Sequence, residues 1–202
     1  RERLFLVAIR RDLKNIMFSY PRKTHGEECE KPFVTAGDAI SDLPLVGMKE
    51  ESTKYTYPTE FESDNQKWFI SIMRGHYDGK GIHSEVPQHL IDKGLYNEHS
   101  ISCHRGPGHI KRKQELLALI KERESMRSAF DRLTESGEID KYRHLFPKTI
   151  YGSRNRRLLN DKPSFTVTSH CLDEILHPTL NRAITPREAA RLQSFPDWYQ
   201  FA

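Results

Sequence analysis

The chain has 202 residues, 36% apolar and 30% charged, with 32 Lys and Arg against 28 Asp and Glu for a formal charge of +4. That polarity excludes a membrane protein, because the longest apolar run, Leu4 to Ile9, falls far short of a bilayer span. Three cysteines, Cys29, Cys103 and Cys171, form no close pair, which argues against a disulfide framework and for a reducing, cytoplasmic compartment.

About 200 residues allow one large domain or two small ones. Apolar content is low for that length, so part of the surface is expected to face a polyanion or further protein. The chain opens at Arg1 without a leader and closes on Trp198-Tyr199-Gln200-Phe201-Ala202. Natural termini are usually polar and frayed, so two abrupt apolar ends suggest a piece of a longer protein. A tag-cleaved complete domain is the alternative.

In chain order, Leu4 to Ile9 reads as a strand buried on both faces, as in a parallel sheet. A polar stretch from Arg10 to Glu30 follows, broken by Pro21 and Gly26. Residues 35 to 44 hold one short helical turn. From Val46 to Tyr96 the pattern is irregular, with Trp68 to Ile72 as its best strand. Ser100 to His109 is a loop. Leu116, Leu119, Ile120, Met126, Phe130 and Leu133 recur at helical spacing and predict one long helix from Lys111 to Glu135, stopped by Gly137. After a loop with Pro147 and Gly152, Ser164 to Ser169 reads as a short strand. Thr185, Pro186 and Glu188 then make a capping box with proline at the first helical position, and this helix should end before Pro196.

Several groups are candidates for chemistry. Arg1 and Arg3, two apart on a strand, share a face. They fit either two solvated strand-end side chains or a pair of forks for a phosphate or a base edge. Arg154-Asn155-Arg156-Arg157, with Lys148 and Lys162, is a basic loop suited to phosphate contact or to plain solvation. Glu98, His99, Cys103, His104 and His109 lie close in sequence but lack the regular spacing of a metal site, so no metal is expected. No Ser or Cys sits in a nucleophile elbow, and Gly79 and Gly81 make a poor phosphate loop.

Residues 182 to 198 read Arg-Ala-Ile-Thr-Pro-Arg-Glu-Ala-Ala-Arg-Leu-Gln-Ser-Phe-Pro-Asp-Trp, which closely resembles the ninth sequence block of DNA (cytosine-5) methyltransferases. The opening Arg1 to Arg10 looks like their eighth block, entered just after its usual glutamine. Residues 38 to 44, Asp-Ala-Ile-Ser-Asp-Leu-Pro, resemble the segment leading into their target-recognition domain. Tyr151-Gly152 and then Lys162 to Val167 look like the end of that domain, with its Thr-Leu dipeptide falling on Thr166-Val167. The middle, about 46 to 147, matches nothing nameable.

The resemblance implies an α+β fold: a mixed target-recognition domain plus one strand and a junction helix from an incomplete α/β methyltransferase domain. The implied division is 1–20 catalytic-domain strand, 21–175 target-recognition domain, and 176–202 junction helix. In the family a cysteine thiolate adds to carbon 6 of a flipped-out cytosine, a glutamate assists at the ring nitrogen, and carbon 5 takes the methyl group of S-adenosylmethionine. The resemblance places charge stabilisation of the ring on Arg3, with Arg1 in support. It implies DNA contacts at Arg154, Arg156, Arg157, Lys162, Thr166, Ser169 and His170. Arg187, Arg191 and Glu188 are read as structural ties at the junction, and the mixed charges from Lys111 to Glu135 as a solvated face.

The departures matter equally. No cysteine follows a proline, and neither Glu-Asn-Val nor Phe-x-Gly-x-Gly occurs. The nucleophile and the S-adenosylmethionine pocket are therefore expected in parts missing from this chain. The expected partners are duplex DNA and the remainder of the catalytic domain, in the same or a partner chain, with no membrane. The expected location is the cytoplasm, at the nucleoid. Alternatives are a non-catalytic DNA-binding module and the smaller subunit of a split methyltransferase.

Overall fold

The computed structural model describes residues 6–10, 12, 17–20, 22–76 and 85–201. Two compact units divide the chain, 1–32 and 33–202. In the first, a bridge pairs His25 with Lys31, and the Phe18 and Tyr20 rings meet edge to face at 5.0 Å. The strand expected over 4–9 is not found where it is described: residues 6–10 pair with no strand, and Leu6 is 88% exposed. An apolar run becomes a buried strand only beside neighbours that take its backbone hydrogen bonds.

The second unit mixes helices with one small sheet, an α+β arrangement. Helix α1 (Ala36–Ile40) opens on a reciprocal cap: Thr35 Oγ1 accepts from the Asp38 amide, and Asp38 accepts from the Thr35 amide. Helix α2 (Asp64–Met73) replaces the strand expected at 68–72. Ser63 caps it, and Asn65, Gln66, Phe69, Ile70 and Met73 form its buried face at helical spacing. The run of bulky residues at 68–72 thus straddles two faces of a helix. A short α3 (Gln88–Asp92) follows.

The single helix expected from 111 to 135 is two: α4 (Lys111–Leu119) and α5 (Met126–Glu135). Arg123 adopts φ 65° between them, and Ser125 caps α5 by accepting from the Ser128 amide. Arg132 then reaches back, with 2.6 and 3.0 Å bonds to Glu124 and a 2.8 Å bond to the Leu119 carbonyl, and locks the corner. Gly137, at φ 74°, ends α5 as expected. Helix α6 (Ile139–Tyr142) and a tight turn at 143–145 complete this layer.

Strand β1 (Arg156–Arg157) pairs in parallel with β2 (Ile175–Leu176), which follows α7 (Cys171–Glu174). Residues 164–169, expected as a strand, join no ladder among the described residues. Phe165 and Val167 nevertheless tuck against the core while Thr166 stays outside, so only the alternation of a strand is present. Helix α8 (Pro186–Leu192) closes the fold.

The hairpin at 175–184 is the seam between two apolar cores. Ile175 and Ile184 face one core with Ala36, Ile40, Tyr55, Phe69 and Met73. Leu176 and Ala183 face the other, with Leu117, Ile120, Met126, Leu133 and Phe146. Alternate residues of an extended chain point to opposite sides, so one hairpin serves both. Each fully buried Leu or Ile adds about 1.5–3 kcal/mol. Among the described residues no helix is long and apolar enough to cross a membrane.

Candidate nucleic-acid interface

Buried charges around α8 set the frame on which the exposed segments stand. The predicted capping box forms: Thr185 Oγ1 accepts from the Glu188 amide at 3.1 Å, and Glu188 accepts from the Thr185 amide at 2.7 Å. Arg182 forks onto the same carboxylate through two 2.8 Å bonds and donates to the Val46 carbonyl at 2.7 Å. Having accepted from Glu188, the Thr185 hydroxyl donates to His104 Nδ1, and His104 Nε2–H donates to the Pro44 carbonyl. Burial pushes the His104 pKa down, and in the neutral imidazole Nδ1 is the acceptor that the Thr185 hydroxyl reaches. Burial likewise holds His177 at about 4. Burial alone would raise Glu188, but the Arg182 fork outweighs it and keeps the carboxyl below its usual range.

On the other flank of α8, Arg191 is fully buried between two carboxylates. It makes two 2.7 Å bonds to Asp197 and bonds of 3.1 and 3.2 Å to Asp42. Arg74 adds a 3.0 Å pair to Asp197 and lies 4.1 Å over the Tyr55 ring, whose hydroxyl donates to Asp42 at 2.6 Å. Arg187 donates to the Ser102 carbonyl and hydroxyl and to the Pro196 and Tyr199 carbonyls. Burial pushes Asp197 up, yet Arg191, Arg74 and Arg187 together hold it below the ordinary carboxylate range. Arg187, Glu188 and Arg191 are therefore ties of the fold, as their place in the sequence predicts.

Of the residues expected to meet DNA, Arg1 and Arg3 lie outside the described residues. Arg154 is exposed, its guanidinium 5.5 Å from the Tyr151 ring. Arg156 is half-buried, stacked 4.0 Å over Phe165, which ties the basic segment to the 164–170 segment. Ser169 and His170 are exposed and hydrogen-bonded to each other, with the Thr168 hydroxyl donating to Glu174 beneath them. Because β1 and β2 are parallel, the segments that enter them lie at the same end of the sheet, and the Asn155 amide donates to the Asp173 carbonyl there. Arg154 and the Ser169–His170 turn thus both lie towards the end of the sheet where β1 and β2 begin. Thr166 is exposed on the crossover between the strands, and Lys162 sits at α1, where its carbonyl accepts from the Ala36 amide.

Arg157 corrects the expectation. It is 5% exposed, and its guanidinium donates to the carbonyls of Leu117, Ile120, His177 and Leu180 and to Asn181 Oδ1. Leu117 and Ile120 belong to the end of α4, where free carbonyls and the negative end of the helix dipole attract a cation. Its donors are used inside the protein, so it has none for phosphate. Sequence reasoning also passed over Lys113, whose ammonium bonds Asn155 Oδ1 at 2.8 Å beside Arg154. The signal was Asn155 itself, a residue type that tolerates its φ of 51°.

Among the described residues no strand pair builds an S-adenosylmethionine pocket of the doubly wound kind. A nucleotide-type pocket of a doubly wound sheet opens where a parallel strand runs into a glycine-rich turn. Among the described residues the parallel pair is Arg156–Arg157 with Ile175–Leu176, and neither strand enters such a turn. No cysteine follows a proline. No three His, Cys, Asp or Glu side chains gather as a metal site among the described residues.

The family described as C-5 cytosine-specific DNA methylase matches the chain over residues 1–202. The chain belongs to this family. It is 27% identical to the putative type II methyltransferase M.OihORF3336P of Oceanobacillus iheyensis, over all of this chain and 52% of that protein. It is 29% identical to the type II methyltransferase M.AgeI of Thalassovita gelatinovora, over 85% of this chain and 45% of the relative. DNA (cytosine-5)-methyltransferase CMT2 of Arabidopsis thaliana is 28% identical over 81% of this chain and 14% of its own length. The chain thus spans about half, or less, of the length of these relatives.

Proposed function

We propose that this chain is the target-reading portion of a DNA (cytosine-5) methyltransferase. The parent enzyme moves a methyl group from S-adenosylmethionine to carbon 5 of a cytosine flipped out of duplex DNA. In this reading residues 1–20 belong to the catalytic domain, 21–175 form the target-recognition domain, and 176–202 carry the helix that returns to the catalytic domain. S-adenosylmethionine supplies the methyl group when bound by other parts of the enzyme. Arg3 stabilises charge on the cytosine ring and Arg1 holds the backbone beside it. Arg154, Arg156, Thr166, Ser169 and His170 face the duplex, with Lys162 on the crossover. Phosphate contacts fix the register, and contacts to base edges read the sequence. The cytoplasm, at the nucleoid, and a restriction-modification setting follow from the same reading.

The observation that supports it best is the placing of an exposed arginine and an exposed Ser-His turn towards the same end of the β1–β2 pair, in a fold held by buried ion pairs. Its test is labelled-methyl incorporation into duplex DNA by the full-length protein, unmutated and as Arg3→Ala. Incorporation that Arg3→Ala abolishes, with duplex binding kept, supports the reading. DNA binding without incorporation favours a module that only reads or blocks sites. Incorporation only after a second chain is added favours the split enzyme. The absence of Pro-Cys and Phe-x-Gly-x-Gly from these 202 residues is what keeps both alternatives open.

A further inference from the structure

A cleft of about 310 Å³ opens between the first turn of α4 and the 147–155 segment. Its floor is apolar, from Leu116, Met126 and Leu145, and its charged lining is Arg112, Lys113 and Arg154 against one carboxylate, Asp173. Three cations face one anion, so the cleft is electropositive. The cations are positioned. Lys113 is held by Asn155 Oδ1 at 2.8 Å, and Asn155 is 2% exposed. Arg112 donates to the Phe146 carbonyl, which Arg143 also reaches, and Arg127 donates to the Ile150 carbonyl, so five basic residues ring the 146–155 loop. Their placement opposes local stability. Lys111, Arg112 and Lys113 crowd the N-terminal turn of α4, which has no acidic residue and no side-chain cap, although a helix favours cations at its other end. Burial pushes the Lys113 ammonium pKa down, so an anion in the cleft would relieve what the fold leaves uncompensated.

We propose that this cleft holds a backbone phosphate of the bound DNA, gripped between the Lys113 ammonium and the Arg154 guanidinium. The proposal rests on the reading of duplex DNA as the partner and adds a site that the sequence pattern treated as a solvated helix face. The test is a salt titration of a labelled mixed-sequence duplex with the full-length protein, unmutated and as Lys113→Gln, Lys113→Arg and Lys113→Gln/Arg154→Gln. A lost phosphate contact lowers the slope of log affinity against log salt by about one. Lys113→Gln is expected to lower it by about one, and the double variant by about two, at every sequence tried. Lys113→Arg, which keeps the charge, restores the slope and so separates contact from folding. Slopes equal to the unmutated protein in all variants overturn the site while leaving DNA binding intact. No duplex binding by the unmutated protein at low salt overturns the functional reading, and this site with it.

Discussion

Around α8, Arg182, Arg187 and Arg191 are buried and every guanidinium is matched to a carboxylate or a carbonyl. Around the 146–155 loop, Arg112, Arg127 and Arg154 remain exposed, with partial partners or none of opposite charge at close range. The same residue type therefore does two jobs in one compact unit. In the first region a guanidinium replaces water for groups that cannot reach it. In the second it keeps its field directed outward, where a polyanion can use it. Burial, not sequence, separates the two roles, and Arg154 and Arg157, three positions apart, fall on opposite sides.

The comparison breaks most visibly at the buried charges. Arg191→Ala strands Asp197 and Asp42 without their main partner, and should cost about 3–5 kcal/mol in urea unfolding. A loss under about 1 kcal/mol would mean the pair is solvated. Acid is the next largest effect. His177 is neutral in the fold at about 4 but takes a proton near 6.5 when unfolded, so the unfolded state binds more protons between those values. Stability is full above pH 6.5 and falls as pH drops toward 4, by up to about 3 kcal/mol from this group. His104, lowered in the same way, adds to the slope. In His177→Gln the loss between pH 6.5 and 4 should shrink; an unchanged slope would exclude the imidazole as its source.

Smaller effects sharpen the contrast. Thr185→Ala removes the α8 cap and the donor to His104, and should cost about 1–2 kcal/mol by thermal or urea melts. Arg154→Gln, exposed and without an internal anion, should change stability by no more than about 0.5 kcal/mol.

The helix start at Thr185-Pro186-Glu188 was legible because a capping box is local: four consecutive residues contain all its hydrogen bonds. Arg187, Glu188 and Arg191 were legible as structural ties through the resemblance of residues 182–198 to the ninth block, while the distant partners of the two arginines, Ser102 and Asp42, and the Arg182 fork onto Glu188 were not. The break between α4 and α5 was not, because Leu119, Ile120 and Met126 keep a helical rhythm across it while Ser125, the new cap, reads as one more polar position. Trp68 to Ile72 misled through bulk, and Ser63 five residues earlier was the sign of a helix. Arg157 was illegible in principle. Its carbonyl partners come from residues 117, 120, 177 and 180, and only the folded chain gathers them.

Arg154 and Arg157, one exposed and one buried, give the most direct trial. Arg154→Gln and Arg157→Gln should each be followed in the full-length protein by urea unfolding and by the salt dependence of duplex affinity. The account predicts that Arg154→Gln lowers the salt slope by about one with stability kept, while the fraction of Arg157→Gln that remains folded binds with an unchanged slope but unfolds at lower urea. The reverse pattern, a flattened slope from Arg157→Gln and none from Arg154→Gln, would contradict it.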